Sequence, residues 1–272
     1  MITGKTKVFG VIADPIDHVR APMVFNPVFE ERGIDAVLVP IHLKPEHLET
    51  QMKALAQMPN MGGVCVTIPF KMDVAKLCDE LGLAAQMTGA VNAVKFEDGR
   101  IIGDNFDGEG FIAGLIGEGH QLEGKSVLMI GAGGAARAIA AATSAQPIKK
   151  LGIANRTSSK AEDIKAMITT HHHDVEIEVV AHENLDDAAS EYDIIINTTS
   201  LGLHDDDALP CRLDHVDEHA VIADIIMIPE VTTWMAKAQE KGLTTHPGRH
   251  MLDYQRDLIG TFIGAFPHAH KS

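Results

Sequence analysis

The chain has 272 residues, 45% hydrophobic and 22% charged, so it can bury a sizeable core in one or two domains of ordinary globular composition. Its 38 acidic residues against 23 basic ones give a net charge of −15, which argues against nucleic acid or an anionic membrane as partner. Three scattered cysteines (Cys65, Cys78, Cys211) make neither a disulfide framework nor a zinc site, and with no signal-like start or long apolar span a reducing, cytoplasmic setting is expected.

The N-terminal part alternates strand and helix signals. Val8 to Ala13 is a short apolar run, Met23 to Arg32 after Pro22 reads as a helix starting at a proline, and Ala36 to Ile41 reads as a second strand. Pro45 to Met58 carries Leu48, Met52, Leu55 and Met58 at helical spacing. Val64 to Ile68 is a third strand stopped by Pro69, and Met72 to Cys78 resumes a helix. Ala90 to Phe96 and Ile101-Ile102 flank Glu97-Asp98-Gly99-Arg100, where Asp-Gly predicts a hairpin.

Glu109 to Gly117 reads as a helix bridging to a second series that opens at Ser126. Its strand candidates are Val127 to Ile130, Lys150 to Ala154, Val175 to Val180, Ile194 to Asn197 and Val221 to Ile225. Such alternation predicts an α/β fold with a parallel sheet covered by helices on both faces. The last helix, His250 to Phe262, is left to pack back on the first domain. His171-His172-His173 and His204-Asp205-Asp206-Asp207 lack ligand spacing and read as solvated loops, so no metal is expected.

The most informative segment is Gly131-Ala132-Gly133-Gly134-Ala135-Ala136, directly after the apolar run Val127 to Ile130. A buried strand feeding a G-x-G-x-x-A turn and a small-residue helix is the dinucleotide fingerprint. The first glycine makes the tight turn, the second lets backbone approach a pyrophosphate, and the small Ala136 permits close helix packing. The helix N-terminus then offers its unpaired N–H groups to the phosphates. The next strand candidate ends in Asn155-Arg156 with no carboxylate, which suits a ribose 2′-phosphate and therefore NADP. Similar glycine turns occur in methyltransferases and in plain α/β packing, and Arg156 alone could be a solvated charge.

Hydride transfer needs a group that moves the alcohol proton. Thr67 and Lys71, in Val66-Thr67-Ile68-Pro69-Phe70-Lys71, follow a buried strand at the end where open α/β sheets bind ligands. Gly103-Asp104-Asn105-Phe106-Asp107-Gly108 offers carboxylates, and Asn92 and Gln255 are polar residues in apolar surroundings. Taken alone, each has a structural reading: a surface lysine, a capped turn, a satisfied core amide.

Together, Thr67…Pro69…Lys71, Gly89-Ala90-Val91-Asn92, Gly103-Asp104-Asn105…Asp107-Gly108, the Gly131 turn, Asn155-Arg156-Thr157 and Gly202 resemble the shikimate dehydrogenase family, in order and spacing, from Gly10 to Gln255. The resemblance implies a substrate-binding α/β domain over 1–103, an NADP-binding Rossmann domain over 104–247, a helix over 248–272 returning to the first domain, and an active site in the cleft between them. It also implies that Lys71 is the acid–base residue with Asp107 as its partner, and that Thr67, Asn92 and Gln255 contact substrate hydroxyls. Gly131, Ala132, Gly133, Gly134 and Ala135 would hold the pyrophosphate. Asn155, Arg156, Thr157 and Lys160 would surround the 2′-phosphate, and Gly248 would lie near the nicotinamide.

The chain departs from the family where substrate is bound. The family's Ser-x-Ser-Pro segment reads Val19-Arg20-Ala21-Pro22 here, so neither carboxylate-site hydroxyl remains, and Asn-Val-Thr reads Cys65-Val66-Thr67. The threonine of Asn-Thr-Asp is Phe106, and the substrate-facing tyrosine is Met227. Hydrogen bonds to a charged group contribute about 1.5–3 kcal/mol each, so losing two would cost a shikimate-like acid roughly 10²- to 10⁴-fold in binding. Arg20 either ion-pairs with a carboxylate or points to solvent while Val19 and Ala21 face inward. The expectation is an NADP-dependent oxidoreductase that reversibly reduces 3-dehydroshikimate or a related cyclic ketone, with a small cyclic hydroxy substrate as partner and a monomeric or homodimeric chain. The alternatives are a divergent member acting on a less polar ring alcohol and a non-catalytic sensor of NADP(H) or a metabolite.

Overall fold

The apolar runs become strands of two separate sheets, each six strands wide. The structure, a computed structural model, describes residues 2–266 apart from His18, His173 and Asp205. The chain forms two units, one of Met1–Phe106 with Gln255–Ser272 and one of Asp107–Tyr254.

In the first unit, β1 (Lys7–Ala13), α1 (Ala21–Glu31), β2 (Ala36–His42), α2 (Leu48–Ala56), β3 (Met61–Val66) and α3 (Lys71–Leu77) are followed by β4 (Glu80–Leu81), α4 (Leu83–Thr88), β5 (Ala93–Glu97) and β6 (Arg100–Asp104). The sheet order is β2-β1-β3-β5-β6-β4. β1 runs parallel to β2 and β3, and β5 runs antiparallel to β3 and β6. The antiparallel pair is the expected hairpin: Asp98 and Gly99 both have positive φ, 51° and 77°, the twist a two-residue turn needs. Helix α1 begins at Ala21, with Pro22 inside its first turn, where the missing N–H has no intrahelical partner to lose. The expected helix over Pro45 to Met58 is a short 3-10 turn at Pro45–His47 and then α2. β3 ends at Val66, two residues before the expected end, because the chain turns at Thr67–Phe70 around the cis Ile68–Pro69 bond.

Alternation along β1 splits the apolar side chains between two cores. Ile12 joins Val64, Val66, Phe70, Val74 and Val94 on one side, while Phe9 and Val11 join Phe25, Phe29, Leu38, Phe106 and Ile263 on the other.

The second unit runs α5 (Asp107–Gly117), β7 (Ser126–Ile130), α6 (Gly134–Ser144), β8 (Lys150–Ala154), α7 (Ser158–His171), β9 (Glu176–Val180), α8 (Leu185–Ala188), β10 (Ile194–Asn197), β11 (Val221–Asp224), α9 (Thr233–Glu240) and β12 (Thr244–His246), and enters α10 (Arg249–Phe262). All its strands are parallel, in the order β12-β11-β10-β7-β8-β9. This is the doubly wound order, with β7 and β10 adjacent where the winding reverses. Val127 and Met129 face a core shared with α5, α6 and α7, and Leu128 and Ile130 face one shared with Trp234 and Ala238 of α9. Along α10, Met251 belongs to the core of the second unit, whereas Ile259 belongs to that of the first.

Candidate active site and cofactor cavity

The Gly131 turn leaves β7 at the point where the sheet winding reverses, the place where open α/β sheets bind ligands. Gly131 has φ 118°, and a Cβ there would lie 2.5 Å from the Thr198 hydroxyl, so both backbone and space demand glycine. Added Cβ atoms at Gly133 and Gly134 would meet nothing within 4 Å. That open ground sits at the start of α6, whose first turn has no acidic residue and presents backbone N–H groups to an anion. A pyrophosphate fits here.

The turn forms one wall of a cavity of about 570 Å³, also lined by Asn155, Arg156, Lys160, His182, Thr198 to Leu201 and Ala208 to Pro210. Gly131, Ala132 and Gly133 line it together with three of the residues expected around a 2′-phosphate. Thr157 does not line it: it is the residue preceding α7, and its carbonyl accepts a 2.8 Å hydrogen bond from the Asn155 amide, which shapes the turn carrying Arg156. Gly134 and Ala135 lie behind the turn as the first residues of α6. Gly248 is also outside the cavity wall, packed so that a Cβ would come 2.5 Å from the Ile225 carbonyl carbon.

Sequence reasoning missed the ends of β10 and β11. Asp224 is fully buried and accepts hydrogen bonds from the Asn197 amide at 3.2 Å, the Thr232 hydroxyl at 3.1 Å and the Ile226 N–H at 2.9 Å. Burial raises the pKa of this carboxyl above its ordinary value, and the hydrogen bonds oppose that. Asn197 also accepts from the Thr199 hydroxyl at 2.7 Å, so the network shapes the Thr198–Leu201 wall of the cavity. The polar run Asn197-Thr198-Thr199-Ser200, directly after an apolar strand, was the available signal.

In the first unit Lys71 is the first residue of α3, and its carbonyl accepts the Val91 N–H at 3.0 Å. Thr67 opens the preceding turn, where its carbonyl accepts the Phe70 N–H at 2.9 Å. Asn92 and Gln255 are both buried. The Asn92 side chain accepts the Phe106 N–H at 2.9 Å, and its backbone carbonyl accepts the Val66 N–H at 2.7 Å. Phe106 is buried 5.2 Å from the Phe262 ring, and Val19 and Ala21 pack against the same apolar cluster while Arg20 is exposed. Asp104 accepts N–H groups of Ala85 and Asn105, holding the start of α4, and burial raises its pKa. A Cβ at Gly82 would collide with that carboxylate.

In the second unit Asp107 is the first residue of α5, and Met227, just past β11, is partly buried against the core that includes Ala223. Among the described residues no group of three or more His, Cys, Asp or Glu could hold a metal ion. Of the histidine run expected as a loop, His171 is instead the last residue of α7 and His172 follows it as the cap, while His173 and Asp205 lie outside the described residues. Asp207 accepts the N–H groups of Gly202 and His204, closing a local turn.

Residues 11–94 match the shikimate dehydrogenase substrate binding domain, and residues 115–232 match the shikimate / quinate 5-dehydrogenase family. A shikimate dehydrogenase (NADP(+)) of Methanosphaera stadtmanae is 35% identical over 93% of this chain and 89% of its own. The chain belongs to the shikimate dehydrogenase family. A shikimate 5-dehydrogenase of Listeria monocytogenes, solved with shikimate and NAD, superposes with a TM-score of 0.90 at 29% identity, covering 97% of this chain and 94% of that one. A 5-ketofructose reductase of a Gluconobacter strain superposes at 0.87 with 28% identity, covering 97% and 95%. The two family matches fall one in each unit, on the β1–β5 region and on the doubly wound region. The relatives of Methanosphaera stadtmanae and Nitrosopumilus maritimus are named as NADP(+) enzymes, in agreement with the cofactor expected from Arg156. No helix among the described residues is long and apolar enough to cross a membrane.

Proposed function

We propose that this chain catalyses the reversible, NADP-dependent reduction of 3-dehydroshikimate, or a closely related cyclic ketone, to the secondary alcohol. The observation that carries this reading is the glycine-walled cavity holding Arg156 and Lys160, in a chain of the shikimate dehydrogenase family. NADPH, when bound, supplies the hydride. Gly131 to Gly134 and the start of α6 receive its pyrophosphate, and Arg156, Lys160 and Asn155 receive the 2′-phosphate.

Lys71 delivers the proton to the carbonyl oxygen as the alcohol forms and takes it back in the reverse direction. Asp107 is its carboxylate partner, keeping the net charge of the pair nearly constant as the proton moves. Thr67, Asn92 and Gln255 orient the substrate hydroxyls. Gly248 keeps the nicotinamide region free of side-chain bulk. Val19, Ala21, Phe106 and Met227 border the substrate with apolar surface. The relatives, named shikimate dehydrogenases, do not favour the divergent-substrate or sensor alternatives.

The reaction partner is a small cyclic hydroxy compound, and the net charge of −15 supports the absence of a nucleic-acid partner. We read the chain as a cytoplasmic monomer or homodimer. An NADP-reduction screen over shikimate, quinate and apolar ring alcohols tests the reading. Turnover of shikimate above the others is the expected result, and no NADP reduction with any of them would refute it.

A further inference from the structure

We propose that His182 is a binding residue for the ribose 2′-phosphate, acting beside Arg156. The inference rests on the reading of Arg156 and Lys160 as 2′-phosphate ligands. It starts from sheet register. β8 and β9 are parallel neighbours whose last paired residues are Ala154 and Val180. Arg156 and His182 each stand two positions beyond that pair, so adjacent strand ends, about 4.8 Å apart in any sheet, deliver both residues to the same edge.

The cavity confirms the register argument in space: Arg156, Lys160 and His182 all line it. The three come from different elements. Arg156 follows β8, Lys160 lies in the first turn of α7, and His182 opens the 3-10 turn after β9. No acidic residue occupies the first turn of α7, and Thr157 provides no side-chain cap, so that helix start also presents N–H groups to an anion. A phosphate with three anionic oxygens needs several donors from different directions, and an imidazole ring can donate from either nitrogen.

His182 is moreover shared with a second cavity of about 380 Å³, lined by Leu185, Asp186 and Leu209 to Arg212. Leu209 and Pro210 border both spaces as well. The imidazole therefore stands at the boundary between the two spaces, at the end of the cavity that Arg156 and Lys160 line.

The test is binding of NADPH and of NADH to the full chain, followed by the fluorescence of the reduced nicotinamide. His182 is exposed, so His182→Ala leaves the fold intact. The expected result is NADPH affinity weakened about 10- to 100-fold, the scale of one charge-assisted hydrogen bond, with NADH affinity unchanged. His182→Lys, which keeps a donor, should recover most of the loss. Equal weakening of both nucleotides would make His182 an adenine or ribose contact and overturn the proposal, as would no change in either. Arg156→Ala is measured in parallel. If it leaves the NADPH-to-NADH ratio intact, the 2′-phosphate reading of Arg156 fails by itself, and His182 is still judged on its own ratio.

Discussion

The side-chain oxygen of Asn92 accepts a 2.9 Å hydrogen bond from the backbone N–H of Phe106. Both residues are buried, so one half of this side chain is committed to holding the chain just past β6. Asn92→Leu strands that N–H, which costs about 1–3 kcal/mol for a buried donor, whereas Asn92→Asp keeps the acceptor. Denaturant titration at a pH where the new aspartate is protonated, so that no charge is buried, should show a large loss only for the leucine variant, while KM for the substrate rises in both. Equal stability of the two would remove the structural role.

Lys71→Ala should lower turnover by roughly 10²- to 10⁴-fold, the usual contribution of a positioned acid–base group. NADPH affinity, measured separately by fluorescence, should stay the same because Lys71 lies outside the unit that contains the nucleotide cavity. Unchanged turnover would take the lysine out of the mechanism.

Arg156→Ala should cut the preference for NADP over NAD by roughly 10- to 100-fold, the equivalent of one charge-assisted bond. The ratio of kcat/KM values for the two nucleotides checks this. A variant that keeps the wild-type ratio would contradict the assignment.

Acid should weaken the second unit through His246. Its ring is buried, with neither nitrogen hydrogen-bonded, and rests 5.0 Å from His250, 5.3 Å from His120 and 5.7 Å from Phe111, with Glu118 facing His250. Burial first, then its histidine neighbours, push its pKa down to about 3 from an ordinary 6.5. A base whose folded pKa is depressed contributes stability above its unfolded pKa and loses it as pH falls. The loss runs at about 1.4 kcal/mol per pH unit from pH 6.5 towards 3. Asp104 and Asp224, whose pKa values are raised by burial, act in the opposite direction. His246→Phe should therefore flatten the dependence of Tm on pH below 6.5, and an unaltered slope would exclude His246 as its source.

The glycine turn and the Arg156 wall of the cavity were legible because their parts are local. A Gly-x-Gly turn after an apolar strand and an Arg after the next strand are each contained in a few residues, and Asp98-Gly99 gave its hairpin for the same reason. What stayed hidden is assembled from distant segments. Asp224 meets Asn197 from 27 positions away, and Asp104 grips the start of α4 only because Gly82 carries no side chain. The short strands β4 and β12 have two and three residues, too few for a periodicity to show. His182 gave no signal in sequence because only strand register puts it beside Arg156.

Gly108 carries the consequence of one close approach. A Cβ there would collide with the carbonyl of Ala138 and reach within 3.0 Å of Ala142, so α5 and α6 pack backbone to backbone. Asp107 is the residue immediately before Gly108, and α6 is the helix that begins at the glycine turn of the cavity. The position of Asp107 is thus fixed by the fit of α5 against α6, and the two helices keep their spacing only while residue 108 lacks a side chain. A bulkier side chain at position 108 would wedge the two helices apart, displacing Asp107 and α6 relative to each other.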